Sequence, residues 1–294
     1  MDVTSRIERA LNEAIGQAEL PGCPPRLAAA MRYAVFPRGA RVRPRLCHSV
    51  AAACGEDHPA ATNAAGAALE LLHCASLVHD DLPCFDAAET RRGRPSVHKA
   101  FGEPLAVLTG DALIVLAFQT LARLQCTPER LAALTLTVAR SVGVPLGIVA
   151  GQAWECEDEI DLAHYHRAKT GALFAAATVA GAASAGADCE PWRMVGEKLG
   201  EAYQVADDIR DAASDEDEIG KPVGRDLALG RPSAVIELGL DGALYRLHDL
   251  VRGAIDAIPP CPNGAELRSL MLSEAQRLVP AKLAQFAAYP PWPR

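Results

Sequence analysis

The chain contains no C-x-x-C pair, although it carries nine cysteines. Scattered singly, several of them in apolar, Ala-rich stretches, they fit reduced, buried thiols in a cytoplasmic protein rather than a disulfide framework. Positive charge is also short: Lys and Arg number 29 against 37 Asp and Glu, a net charge of -8. A general nucleic-acid binder draws its affinity from a basic surface, so that class is excluded. A leader with a basic segment followed by an apolar one is missing too, because MDVTSRIERALNEAIGQAE carries charges every few residues, and export is not expected. Alternating Val, Ile and Thr runs bounded by turns are absent. No linker rich in Pro, Gly or Ser divides the chain, and no repeat recurs.

What is present is helical periodicity. It predicts an all-α chain with helices near 3–19, 25–35, 42–54, 59–82, 102–124, 128–142, 145–159, 162–183, 190–213, 232–256 and 264–288. These form one domain over 1–294, a bundle with helices around a central cavity. A stretch from Thr170 to Ala187 has no charge, but its Ala, Gly, Ser and Thr side chains supply little lipid-facing area. It reads as a core helix, and no membrane span is expected. The acidic segment Ala212–Gly224 is either a solvated loop or a flap near a site.

Two acidic clusters stand out. The first lies in SLVHDDLPCFDAAETRRGRP, residues 76–95, where Asp80, Asp81 and Asp86 precede Arg91 and Arg92. Asp80 and Asp86 are about 240° apart on an ideal helix. Pro83 removes a donor and clashes with the carbonyl four residues back, so the helix ends or bends there and Asp86 can return towards Asp80. His73 lies two turns below Asp80, on the same face. The second cluster, in YQVADDIRDAAS, sets Asp207 and Asp211 one turn apart on one helix face, with Tyr203 a turn earlier. Like charges at that spacing repel unless they are solvated or share a cation. Clustered Asp oxygens without Cys or paired His suit Mg²⁺ rather than zinc, and His164-x-His166 is too isolated to change that. Mg²⁺ held by few carboxylates keeps positions open for phosphate oxygens, and Arg91 and Arg92 supply forks for the same phosphates. The pattern is that of a diphosphate site in an acidic protein.

These residues resemble the trans-isoprenyl diphosphate synthases over nearly the whole chain. The resemblance rests on the arginine motif Arg38–Pro44, the first aspartate-rich motif Asp80–Asp86 with Arg91, Arg92 and Gly93, and Phe101-Gly102 leading to Gly110-Asp111. It continues through Gly151-Gln152, Lys169-Thr170-Gly171, Tyr203-Gln204 ahead of Asp207–Asp211, and Gly220–Gly224. It implies the isoprenoid synthase fold, a homodimer, and Mg²⁺, about three ions with substrate bound, bridging both aspartate motifs to an allylic diphosphate. Asp80, Asp86 and Asp207 are then direct metal ligands, and Asp81, Asp208 and Asp211 are weaker or outer ones. Arg91, Lys169, Thr170, Gln204 and Lys221 fall to the allylic substrate, with Arg231 where a lysine is usual. Arg43, His73 and Arg92 fall to isopentenyl diphosphate. Ala40 stands where that site usually has a lysine, and Arg38 or Arg41 is the candidate to compensate. Glu155 replaces a usual Asp.

The implied reaction is Mg²⁺-dependent prenyl transfer. The allylic C–O bond ionises, the double bond of isopentenyl diphosphate attacks, and a proton leaves to the released diphosphate. No protein nucleophile is needed; Thr170 and Gln204 stabilise the cation in a dry cavity. Ala75 and Ser76 leave the floor below the first motif open, and DDLPCFD is two residues longer than DDxxD. Both resemble the bacterial geranylgeranyl diphosphate synthases, which extend dimethylallyl, geranyl or farnesyl diphosphate to C20. The alternative is a C15 farnesyl product, with bulk such as Phe118 closing the tunnel. The product would feed carotenoid, bacteriochlorophyll or quinone side-chain synthesis. A terpene cyclase usually carries an Asn/Ser/Glu second motif, which DDIRD is not. A di-iron bundle needs a second Glu-x-x-His beside Glu70–His73. A regulatory synthase subunit typically lacks one aspartate motif.

Overall fold

The computed structural model describes residues 2–36, 39–159, 164–165, 167–213 and 233–278. Arg38, Lys221, Arg231 and most of the acidic segment 212–224 lie outside the described residues. The chain divides into two compact units, one built from Met1–Ala139 and Val179–Cys189, the other from Arg140–Thr178 and the chain from Glu190 onward.

The first unit is organised on α4 (Pro59–Asp80). Packed against it are α1 (Val3–Gly16), α2 (Pro25–Val35), α3 (Val42–Ala53) and α6 (Glu103–Ala122). α4 starts on Pro59, whose missing N–H costs nothing at a first helical position, and the His58 ring accepts the N–H of Ala61 at 3.2 Å. α1 is capped by Asp2, which accepts from the Ser5 N–H at 3.1 Å and from its hydroxyl at 2.6 Å. The buried face of α4 alternates Ala with Leu69, Leu71 and Leu72, small side chains admitting neighbours and large ones filling between them. Where α6 crosses, Gly110 makes room for the His79 ring, which a Cβ there would displace. The short α5 (Val97–Phe101) packs on α6, and α7 (Pro128–Val142) follows it.

In the second unit α10 (Trp192–Ala213) packs on α11 (Ala234–Asp256) and on a π turn at Arg167–Gly171 that leads into α9 (Ala172–Ser184). α8 (Ile148–Ala153) lies on the same π turn, and α12 (Gly264–Leu278) packs on α11.

The all-α expectation holds, with local differences. The stretch expected at 145–159 is cut to α8 and a 3-10 turn at Trp154–Cys156, and the one at 3–19 ends in a 3-10 turn at Gln17–Glu19. A hairpin of β1 (Thr90–Arg91) and β2 (Arg94–Pro95) is too short for periodicity to register. The charge-free stretch is a core helix, with Leu173, Phe174 and Ala177 buried. Among the described residues it is α6, not that stretch, that is long and apolar enough to cross a membrane, with a window of mean hydropathy 1.8. Asp111 in its middle hides it from a search for charge-free runs. α6 packs on α4, α2 and α5 along one side and leaves Val107, Leu108 and Val115 exposed.

Candidate active site

In the first unit the site begins where α4 stops. The helix ends at Asp80, three residues before Pro83, and the chain turns back on itself. The Asp86 N–H donates to the carbonyl of Asp80 at 3.0 Å, and Ala87, in a left-handed conformation at φ 48°, donates to Leu82 at 3.0 Å. The proline-enforced turn thus brings the backbone of the sixth residue back to the first.

Asp81 points elsewhere. It is 2% exposed and receives the Arg91 fork, Nε at 3.0 and 3.2 Å from its two oxygens and Nη2 at 2.5 Å from Oδ1. Burial pushes the Asp81 carboxyl above its ordinary pKa, and Arg91 offsets part of that rise. Arg91 also stands 3.8 Å from Asp80. Burial works against the Arg91 charge, but the bonds from Asp81 and the field of Asp80 and Asp86 outweigh it.

Arg91 is in β1 and Arg94 in β2, and both turn residues between them, Arg92 at φ 54° and Gly93 at φ 76°, are left-handed, the pattern of a tight hairpin turn. Arg94 anchors the hairpin: its guanidinium donates to the carbonyls of Tyr33 and Phe36 and lies 3.5 Å over the Tyr33 ring. Tyr33 in turn donates to the carbonyl of Pro95 at 2.7 Å. So held, the hairpin lays Arg92 on the arginine motif, where a Cβ on Gly39 would come 2.6 Å from its guanidinium carbon. A cavity of about 30 Å³ adjoins the hairpin, lined in part by Cys74, Asp81 and the three hairpin arginines.

His73 belongs to the same cluster. Burial and the charges of Arg43, Arg92, Arg91 and Arg41 hold its imidazole well below the usual histidine pKa, so it is neutral at pH 7. The three residues assigned to isopentenyl diphosphate, Arg43, His73 and Arg92, therefore share one neighbourhood. Arg41 does not face it as a substitute for the missing lysine. Its side chain is 3% exposed and committed to Glu8 and Glu70, because a buried guanidinium needs carboxylate partners. Ala40 is exposed. Ala75 is fully buried, and the Ser76 hydroxyl turns back to the His73 carbonyl at 2.8 Å.

In the second unit the π turn presents Lys169 and Thr170, a geometry frequent at functional sites. Gly151 lets α8 meet it: a Cβ there would lie 2.4 Å from the Lys169 nitrogen. The Lys169 ammonium pairs with Oε1 of Glu155 at 2.5 Å, and Tyr165 donates to the same oxygen at 2.6 Å. Thr170 donates to Gln204 at 3.0 Å, Gln204 donates to Asp208 at 2.9 Å, and Asp208 accepts the Ala234 N–H that opens α11 at 2.8 Å. Asp208 is thus a buried structural acid. Asp207, with its side chain 47% exposed, stays open, 3.2 Å from Arg210, while Asp211 is half-buried one turn on. Tyr203 packs on Phe174, ring centres 5.2 Å apart, and Arg210 lies over it.

The partners that sequence reasoning missed are Tyr165, Arg210, Arg94, and Glu8 with Glu70. Glu70, a lone acid in the apolar run ALELLH, and Arg94, one of the three arginines in the charged stretch 76–95, carried a visible signal. Among the described residues no three of His, Cys, Asp and Glu converge as a protein-only cage for a metal. Mg²⁺ needs only one or two carboxylates when phosphate oxygens complete its shell, and the hard oxygens of Asp80, Asp86, Asp207 and Asp211 fit that requirement.

Residues 24–252 match the polyprenyl synthetase family model. A geranylgeranyl diphosphate synthase of Cereibacter sphaeroides is 54% identical over 285 residues, which is 97% of this chain and 99% of that protein. One from Rhodobacter capsulatus is 51% identical over 280 residues, 95% of this chain and 97% of that one. The geranyltransferase of Legionella pneumophila superposes with a TM-score of 0.78 at 26% identity, covering 94% of each chain, so the helical architecture is shared. With its acidic turn, its arginine hairpin and its π turn all carried on matching sequence, this chain belongs to the polyprenyl synthetase family.

Proposed function

We propose that this protein is a geranylgeranyl diphosphate synthase, a Mg²⁺-dependent transferase that condenses isopentenyl diphosphate with dimethylallyl, geranyl or farnesyl diphosphate to give the C20 product. The observation that carries the reading is the cluster of Arg43, Arg91 and Arg92 around a neutral His73, at the end of the helix that bears Asp80. A cluster of cations in an acidic chain suits an anion, and a diphosphate is the anion that matches forks and hard-oxygen metal ligands together.

Asp80 and Asp86 in the first unit, and Asp207 and Asp211 in the second, would hold Mg²⁺ ions, which when bound would supply positive charge to the leaving diphosphate. Arg91, Lys169, Lys221 and Arg231 bind and orient the allylic diphosphate; Arg43, His73 and Arg92 bind that of isopentenyl diphosphate. Glu155 and Tyr165 hold Lys169 in place until a phosphate takes it over. The hydroxyl of Thr170 and the amide of Gln204, already bonded to one another, offer fixed dipoles to developing positive charge. Ala75 and Ser76, small side chains just below Asp80, are consistent with a longer product.

The working enzyme is a cytoplasmic homodimer of single-domain chains. All nine cysteines are free thiols, which supports the compartment, and Val107, Leu108 and Val115 of α6 offer exposed apolar surface to a second copy. Purified protein incubated with labelled isopentenyl diphosphate is expected to yield an acid-labile prenyl product only when both an allylic primer and Mg²⁺ are present. Absence of any elongated product would overturn the reading in favour of a regulatory subunit.

A further inference from the structure

The charged group the site leaves unused sits at the root of the arginine motif. Arg41 caps the start of α3 in a left-handed conformation, φ 50° and ψ 36°, and its guanidinium is enclosed. Nη1 donates to Glu70 of α4 at 2.8 Å, Nε to Glu8 of α1 at 3.0 Å, and Nη2 to the carbonyl of Val35, the last residue of α2, at 2.9 Å. One side chain thereby joins four helices. Burial works against its charge, and Glu70 and Glu8 outweigh that penalty. Apolar residues of similar size hold such a site together at least as well as a buried ion pair does, so stability alone does not explain the charges. What directed, charged bonds add is register. Arg43 follows Arg41 by two residues on α3, and His73 follows Glu70 by one turn on α4.

We infer that Arg41 and Glu70 are a positioning pair that sets α3 against α4 and so fixes the spacing of Arg43 and His73, the isopentenyl-diphosphate half-site. The inference rests on the proposed function. It also explains why this chain cannot use Arg41 in place of the lysine missing at Ala40: the guanidinium is spent on register. With one cation fewer, the half-site depends more heavily on where Arg43 and His73 stand.

The test is the double variant Arg41→Leu/Glu70→Leu, which removes both buried charges and leaves Glu8 with some solvent contact, at 13% side-chain exposure. Its melting temperature is expected to stay near wild type. Its KM for isopentenyl diphosphate should rise about tenfold while KM for farnesyl diphosphate stays within about twofold, since displacing a binding group by about 1 Å costs up to about a hundredfold. Calorimetric titration with inorganic pyrophosphate in EDTA, which leaves the metal-dependent allylic site unfilled, reads the same half-site without turnover, and about tenfold weaker binding is predicted. A folded double variant with wild-type KM and wild-type pyrophosphate affinity would show that the pair only packs, and would overturn the inference. If the double variant does not fold, the isosteric Glu70→Gln decides: a KM for isopentenyl diphosphate raised about threefold supports the pair, and an unchanged one refutes it. A wild-type protein that makes no prenyl product would sink the function, whereas the pyrophosphate titration would still judge the pair.

Discussion

Neighbouring residues on a helix point about 100° apart, so two adjacent aspartates cannot serve one face. In both acidic motifs the chain divides the work accordingly. Asp81 and Asp208 turn inward, one to Arg91 and the other to Gln204 and the α11 N-terminus, and both are buried. Asp80 and Asp207 keep more exposure, 17% and 47% of their side chains. Removing one of the open acids should cost function and spare the fold: Asp80→Ala or Asp207→Ala is expected to lower kcat by about a hundredfold or more with an unchanged melting temperature. Retained, Mg²⁺-independent turnover in Asp80→Ala would refute its metal role. Asp208→Ala should do the reverse in part, losing about 1–3 kcal/mol of stability in denaturant titration because Gln204 and a helix-opening N–H lose a buried acceptor.

Among elements, α4 decides most, since it carries Glu70, His73, Ala75, Ser76 and Asp80 and its end sets the acidic turn. If Ala75 lies along the growing prenyl chain, Ala75→Phe should shorten the product, read by chromatography, and an unchanged length would remove that residue from the chain-length argument. The end of α4 was legible because Pro83 acts locally through a clash and a missing donor. The one-face spacing of Asp207 and Asp211 was legible for the same reason, being set by helix geometry. The hairpin was not: two-residue strands leave no period, and the left-handed turn at Arg92 is held by Arg94 gripping the end of α2, a long-range contact. Nor was the fate of Arg41, since a cation in a motif looks the same whether it meets a ligand or a buried glutamate. The Glu155–Lys169 pair was half-legible, the glutamate being noticed as a departure but not as a partner.

At the scale of the whole molecule, buried neutral histidines make stability depend on pH. His48 is 2% exposed on α3, and burial, with Arg6 opposed by Glu56, pushes its pKa down to about 4. The folded pKa is below the unfolded one, so protonation favours the unfolded chain. The contribution is therefore whole above about pH 6.5 and is lost as the pH falls towards 4. Between pH 7.5 and pH 5 the protein should lose about 2 kcal/mol on this account, measured by urea titration, and His48→Leu should flatten that step. An equal loss in the variant would assign it to other groups. The His73 imidazole is shifted in the same direction by burial and the nearby arginines.

All three scales lead to one chemical outcome, the length of the prenyl chain that leaves the protein. The most direct measurement is chromatography of the alcohols released by phosphatase after the purified protein has converted isopentenyl and farnesyl diphosphates with Mg²⁺. The expected product is geranylgeraniol, C20, and it should disappear in Asp80→Ala. Farnesol alone, with farnesyl diphosphate left unextended, would contradict the C20 assignment.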